Sequence, residues 1–269
     1  MDQQAYRLPD LFHHSYEECI VIAHRGASAY YPENTLPAFK GALEMEAAMI
    51  ELDVMLTSDG VPVVFHDAKL SIHSNGKGLL SYHTLEELKA FDAGAWFSPQ
   101  YAGTTIPTLQ EVLELVAGKI ALNIEIKTEA VSAEISGGVE EKCLQLVHDL
   151  NMQHHVLFSS FDYRALRHLK KLDSEIPVAL LYNRGQSNGR PPAQLMNDYQ
   201  VDAFNCSYHE YMAKWGPELH QLNIPHFVYT VDETDQMQQL LDADVSGIFT
   251  NRPDRLKALI DQRRNGKKT

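Results

Sequence analysis

The chain has 269 residues, 44% of them apolar, and its 36 Asp and Glu against 23 Lys and Arg give a formal charge of -13. That length suits one barrel-type domain, since barrels commonly run to about 200–250 residues as a unit. The acidic balance excludes a nucleic-acid binder, which needs a basic face toward phosphate, and disfavours an anionic membrane surface.

Residues 20–23 form a short apolar run ending in His24-Arg25-Gly26, which predicts a strand and its exit loop. Residues 35–46 carry Leu36, Phe39, Ala42 and Leu43 at helical spacing, with Asn34 or Thr35 as N-cap. Strands are expected at 49–56 and 61–65, separated by the turn Ser58-Asp59-Gly60. So short a link requires an antiparallel hairpin, because parallel strands need a longer crossover. Counting outward from Asp59-Gly60 sets Asp53 opposite His66.

Residues 68–105 have a looser pattern, with one helical piece at 84–91, and read as an insertion in the scaffold. A helix opens at Pro107-Thr108 and closes at Gly118, before a strand at 120–126. Helical and strand patterns then alternate: helices near 140–150, 163–172, 192–199, 217–222 and 235–242 precede strands at 156–159, 178–181, 203–206, 226–231 and 247–249. A helix at 255–264 ends the pattern. Nine strands, one of them a hairpin arm, leave eight for a (β/α)₈ TIM barrel in a single domain, with catalytic groups at the strands' C-terminal ends.

Strand side chains alternate, so Glu51 and Asp53 share a face, as do Glu125 and Lys127. Three carboxylates converging there repel one another unless a cation lies between them, and an all-carboxylate set selects Mg²⁺ or Ca²⁺ over zinc. With one divalent ion, Arg25, Lys127 and a bound phosphodiester, the cluster is neutral. His24 and His66 are the acid–base candidates, because imidazole titrates near neutral pH. Arg25 can grip two phosphate oxygens, and Gly26 allows close backbone approach. The other eleven histidines fall in turns or on polar faces, and Tyr30-Tyr31, Trp96-Phe97 and Tyr229 are expected mainly to pack the core. Cys19, Cys143 and Cys206 are too scattered for a disulfide framework and imply reduced thiols in the cytoplasm. The first residues lack a signal-peptide pattern, and no apolar run reaches the ~20 residues of a membrane span.

The ordered motifs HRGASAYYPENT (24–35), ELDVMLTSDGVPVVFHD (51–67), DAGAWF (92–97), IPTLQEVL (106–113), NIEIK (123–127), FSSFD (158–162), VYTVD (228–232) and TNRPD (250–254) resemble the glycerophosphodiester phosphodiesterase family. The resemblance implies a TIM barrel with an insertion after His66. It also implies hydrolysis of glycerophosphodiesters, such as glycerophosphocholine or glycerophosphoethanolamine, to glycerol 3-phosphate and an alcohol. It casts His24 and His66 as general acid and base, in either order, Glu51, Asp53 and Glu125 as ligands of Mg²⁺ or Ca²⁺, and Arg25 and Lys127 as phosphate contacts. The pattern departs at Ile72, where arginine is common, at Tyr229, where tryptophan is usual, and at Asn251, where aspartate is usual. A lysophospholipase D-like lipid phosphodiesterase and a non-catalytic glycerophosphodiester-binding barrel are the alternatives on the same scaffold. No stable membrane association is expected, and a homodimer is the base-rate expectation.

Overall fold

The computed structural model describes residues 19–266. All nine expected strands form: β1 Ile20–His24, β2 Met49–Leu56, β3 Pro62–Val64, β4 Ala121–Ile126, β5 Val156–Ser160, β6 Val178–Leu181, β7 Ala203–Ser207, β8 His226–Tyr229 and β9 Gly247–Thr250. Eight of them run parallel in the order β1-β9-β8-β7-β6-β5-β4-β2, and a β1–β2 pairing closes the barrel. The ninth, β3, is antiparallel to the far end of β2, on the edge β1 leaves when it stops at His24.

Alternation along the strands divides the core. Ile20, Ile22, Met49, Ala121, Leu157, Phe227 and Phe249 fill the barrel interior. Their neighbours, among them Val21, Ile50, Leu52, Leu122, Ile124 and Val156, face outward against the helices. Local sequence sets several helix starts. Thr35, not Asn34, caps Leu36–Glu44, accepting from the Ala38 amide, and Thr108 with Glu111 forms a capping box on Leu109–Val116. The insertion carries short helical pieces at Leu70–Ile72, Leu80–Tyr82, Leu85–Lys89 and Pro99–Tyr101. They sit on a satellite core in which Leu70, Leu80, Leu88 and Ala93 pack on Met55, Val63 and Phe65 of the hairpin.

The hairpin register differs from expectation by one residue. Val54 pairs with Val64 and Leu56 with Pro62, and the Phe65 amide donates to the Asp53 carbonyl oxygen. Asp53 therefore faces Phe65, not His66. The cause is a three-residue loop in which Gly60 takes φ +77°, open to glycine, so one residue more than counted is spent in the turn.

The cysteines are free, as expected. No helix among the described residues is long and apolar enough to cross a membrane. Between β7 and β8 the structure adds a π turn at Tyr211–Trp215 that the sequence pattern did not reveal.

His226 departs from its expected polar position. It is fully buried at the start of β8, stacked on Tyr211 at 5.4 Å, and its Nδ1 is 2.7 Å from the Ile224 carbonyl oxygen. Burial pushes its pKa down to about 4 from 6.5, so the folded protein holds it neutral. The unfolded chain binds the extra proton first. The stabilisation is therefore complete above about pH 6.5 and disappears as pH falls toward 4, a change of about 3 kcal/mol. Urea unfolding at pH 7 and pH 4.5 tests this: His226→Phe should lose less stability between the two than the parent, and equal losses would show that His226 does not set the difference.

Candidate active site

The parallel register assembles the site from strands far apart in sequence. His24 lies opposite Glu51, Glu51 opposite Asn123, and Asp53 opposite Glu125. Period-two alternation turns Glu51, Asp53, Asn123 and Glu125 inward, where none is more than 8% exposed. Carboxylate oxygens of Glu51, Asp53 and Glu125 lie within 4.8 Å of one another. Lys127 Nζ bridges Asp53 at 3.2 Å and Glu125 at 2.9 Å, and Arg25 Nε lies 3.4 Å from Asp53.

The three carboxyls are electrostatically unequal. Burial, then the charges of Asp53 and Glu125, drives Glu51 well above the ordinary carboxylate range. Glu125 is pushed up to about 7 by burial and by Asp53, with Lys127 opposing. Burial also acts against Asp53, but Lys127 and Arg25 outweigh it and hold that carboxyl well below the usual range. The protein's own cations thus offset burial fully at Asp53, only in part at Glu125, and not at Glu51. A buried, all-oxygen set of this kind fits a hard divalent ion, and Glu51, Asp53 and Glu125 are the residues that would hold it.

The loop after β1 is locally strained. Arg25 takes φ +56° and Gly26 φ +83°. This turns the Arg25 amide onto Glu51 Oε2 at 3.0 Å and its guanidinium onto Glu33 at 2.7 Å. Gly26 does not open space for a phosphate, as its position suggested. A Cβ there would lie 2.7 Å from the backbone of Ala38, because the helix Leu36–Glu44 packs directly against it. Asn34, at φ +56°, clamps Asp53 twice, donating from Nδ2 to Oδ2 at 2.8 Å and accepting from the Asp53 amide at 3.3 Å.

Both histidines reach the barrel mouth. Asn251 donates its Nδ2 to Asp232 at 2.6 Å, which fixes the amide so that Oδ1 faces His24 Nδ1 at 2.8 Å. Ser28 also donates to that oxygen. His24 therefore carries its proton on Nδ1, leaving Nε2 bare, 3.9 Å from Glu51. Burial, then Arg25, pushes its pKa down to about 4. His66 Nδ1 lies 3.2 Å from Asp67, whose other oxygen meets His73 Nδ1 at 2.7 Å.

A pocket of about 160 Å³ opens over this assembly. His24, Arg25, Glu51, His66, Asn123, Glu125 and Lys127 line it on the polar side, Phe161, Leu181 and Phe249 on the apolar side, and Tyr229 and Thr230 add a ring and hydroxyls between them. All seven residues predicted for the site are thus brought together, with Asp53 held behind the others at 1% exposure. Asn34, Glu33, Asp67, His73, Asn123, Asp232 and Asn251 were not predicted. All of them except His73 fall inside the quoted motifs, but only side-chain contacts reveal what they touch. Two further expectations fail. His73 is a site neighbour, and Trp96 lies 42% exposed on the rim with its ring 4.4 Å from His73, outside any core. His13 and His14 lie outside the described residues.

Comparison with known proteins agrees with this geometry. The model of the glycerophosphoryl diester phosphodiesterase family matches residues 24–255. A glycerophosphodiester phosphodiesterase of Caldanaerobacter subterraneus is 39% identical over 242 residues, covering 90% of this chain and 97% of its own. One from Bacillus subtilis is 36% identical, covering 88% and 85%. Among solved structures, an Oleispira antarctica phosphodiesterase in complex with the product sn-glycerol 3-phosphate superposes with a TM-score of 0.79 at 29% identity, covering 90% of this chain and 96% of its own. With its barrel, its converging carboxylates and these relatives along nearly its whole described length, the chain belongs to the glycerophosphoryl diester phosphodiesterase family, a family of phosphoric diester hydrolases.

Proposed function

We propose that this chain hydrolyses glycerophosphodiesters, glycerophosphocholine and glycerophosphoethanolamine among them, to glycerol 3-phosphate and the free alcohol, using Mg²⁺ or Ca²⁺ held by Glu51, Asp53 and Glu125. The observation that carries the reading is the convergence of those carboxylates with Arg25, Lys127 and two histidines on one pocket. Bound there, the ion supplies Lewis-acid polarisation of the phosphoryl oxygens and countercharge for the carboxylates.

The remaining chemistry is assigned to the chain's own side chains. Arg25 and Lys127 bind the non-bridging phosphate oxygens and stabilise the charge they gain in the transition state. His24, with Nε2 free of a proton, accepts one from the attacking water, while Asn251 and Asp232 keep its ring in the competent tautomer. His66, oriented by the contact of its Nδ1 with Asp67, gives a proton to the leaving alkoxide. The free, scattered cysteines support a cytoplasmic setting.

The test is turnover. Protein stripped with chelator and supplied with glycerophosphocholine should release glycerol 3-phosphate only when Mg²⁺ or Ca²⁺ is restored. Either ion should also raise the melting temperature in a concentration-dependent way, as any ligand of the native state does. Product binding without turnover under every metal would replace this reading with the binding barrel. Activity on lysolipid alone would replace it with the lipid phosphodiesterase.

A further inference from the structure

Asn123 is the one amide side chain of the pocket, and the scheme above leaves it without work. It lines the cavity, is 1% exposed, and neither its Oδ1 nor its Nδ2 has a hydrogen-bond partner in the protein. Because both amide atoms are unpaired, the conclusion does not depend on which is oxygen and which nitrogen. A buried amide with both ends unmet is costly unless a ligand or ordered water meets it.

Its position says which part of a ligand it would meet. Asn123 lies two residues deeper along β4 than Glu125 and four deeper than Lys127, with Glu51 opposite on β2. With Arg25 and Lys127 binding the phosphate, as proposed above, Asn123 would lie below it, toward the barrel interior. The apolar lining, Leu181 and Phe249 among it, offers hydroxyl groups no charge to pair with. A pocket of about 160 Å³ admits a small group below the phosphate, whereas a variable alcohol must leave through the mouth. An amide presents one acceptor and two donors, the complement of neighbouring hydroxyls that each donate and accept.

We infer that Asn123 is a specificity-determining residue: it reads the vicinal diol of the substrate's glycerol end and selects phosphodiesters that carry a small polyol there. This rests on the hydrolytic reading above, but the test separates the two. In the presence of Mg²⁺, the binding of sn-glycerol 3-phosphate and of propyl phosphate, which lacks both hydroxyls, is measured by calorimetry for the parent, Asn123→Ala and Asn123→Ser. The alanine variant should bind sn-glycerol 3-phosphate about 10- to 100-fold more weakly and propyl phosphate within about threefold of the parent, with the serine variant between. The same split is expected in kcat/KM between glycerophosphocholine and bis(4-nitrophenyl) phosphate.

Equal losses for both ligands would overturn the inference, since they would mark a structural or metal-site effect. No loss for either would also overturn it, leaving water as the amide's partner. Circular dichroism verifies folding, and the serine variant carries the test if alanine fails to fold. A parent that binds sn-glycerol 3-phosphate but turns over no glycerophosphodiester would overturn the hydrolytic reading, while the binding comparison would still decide the role of Asn123.

Discussion

Replacing His24 or His66 with alanine should lower kcat on glycerophosphodiesters by about 10²- to 10⁴-fold, the usual contribution of a positioned acid or base. Both rings line the pocket, and neither anchors the core. The variants should therefore keep the parent's circular dichroism and unfolding midpoint. Asn251→Ala removes the group that orients His24 Nδ1, so it should lower kcat less than His24→Ala, without abolishing metal binding. Steady-state kinetics beside a metal titration separates these cases. Turnover near that of the parent in either histidine variant would remove that residue from the mechanism.

The second large effect concerns two carboxylates of one strand whose replacements should act in opposite directions. Asp53→Ala strips the common partner from Lys127, Arg25 and Asn34 and leaves two buried cations less well paired. Removing one member of such a pair costs about 3–5 kcal/mol. Glu51 is in the reverse situation, because burial and its two carboxylate neighbours already disfavour its charge. Glu51→Gln keeps the shape, can still accept from the Arg25 amide, and relieves that repulsion. In chelator its melting temperature should equal or exceed the parent's. Both variants should lose the rise in melting temperature on adding Mg²⁺ or Ca²⁺, and with it turnover. A Glu51→Gln protein that melts well below the parent in chelator, or still responds fully to metal, would contradict the electrostatic account.

These outcomes show which properties are local. The alternation of Glu51 with Asp53 and of Glu125 with Lys127, the apolar runs ending at His24 and His66, and the capped amphipathic helices all follow from periods of 2 and 3.6. Such periods are set by backbone geometry and persist in any context. From them the eight-stranded barrel and the seven proposed site residues could be named before any contact was known. The hairpin register could not, because a single glycine at positive φ lengthens the loop by one residue.

What only the tertiary structure decided is how those residues are held. Asn251 reaches His24 across 227 positions because β1 pairs with β9 when the barrel closes. Asn34 meets Asp53, and Asp67 joins His66 to His73, through side-chain reach that no periodicity encodes. The three carboxyls look alike in sequence, yet closure sets both Lys127 and Arg25 against Asp53, gives Glu125 a share of Lys127 alone, and leaves Glu51 with only the Arg25 amide. Sequence determined which groups arrive at the barrel mouth. Burial and neighbours, which exist only once the strands close, determined their charge and orientation, since both depend on distances between residues far apart along the chain.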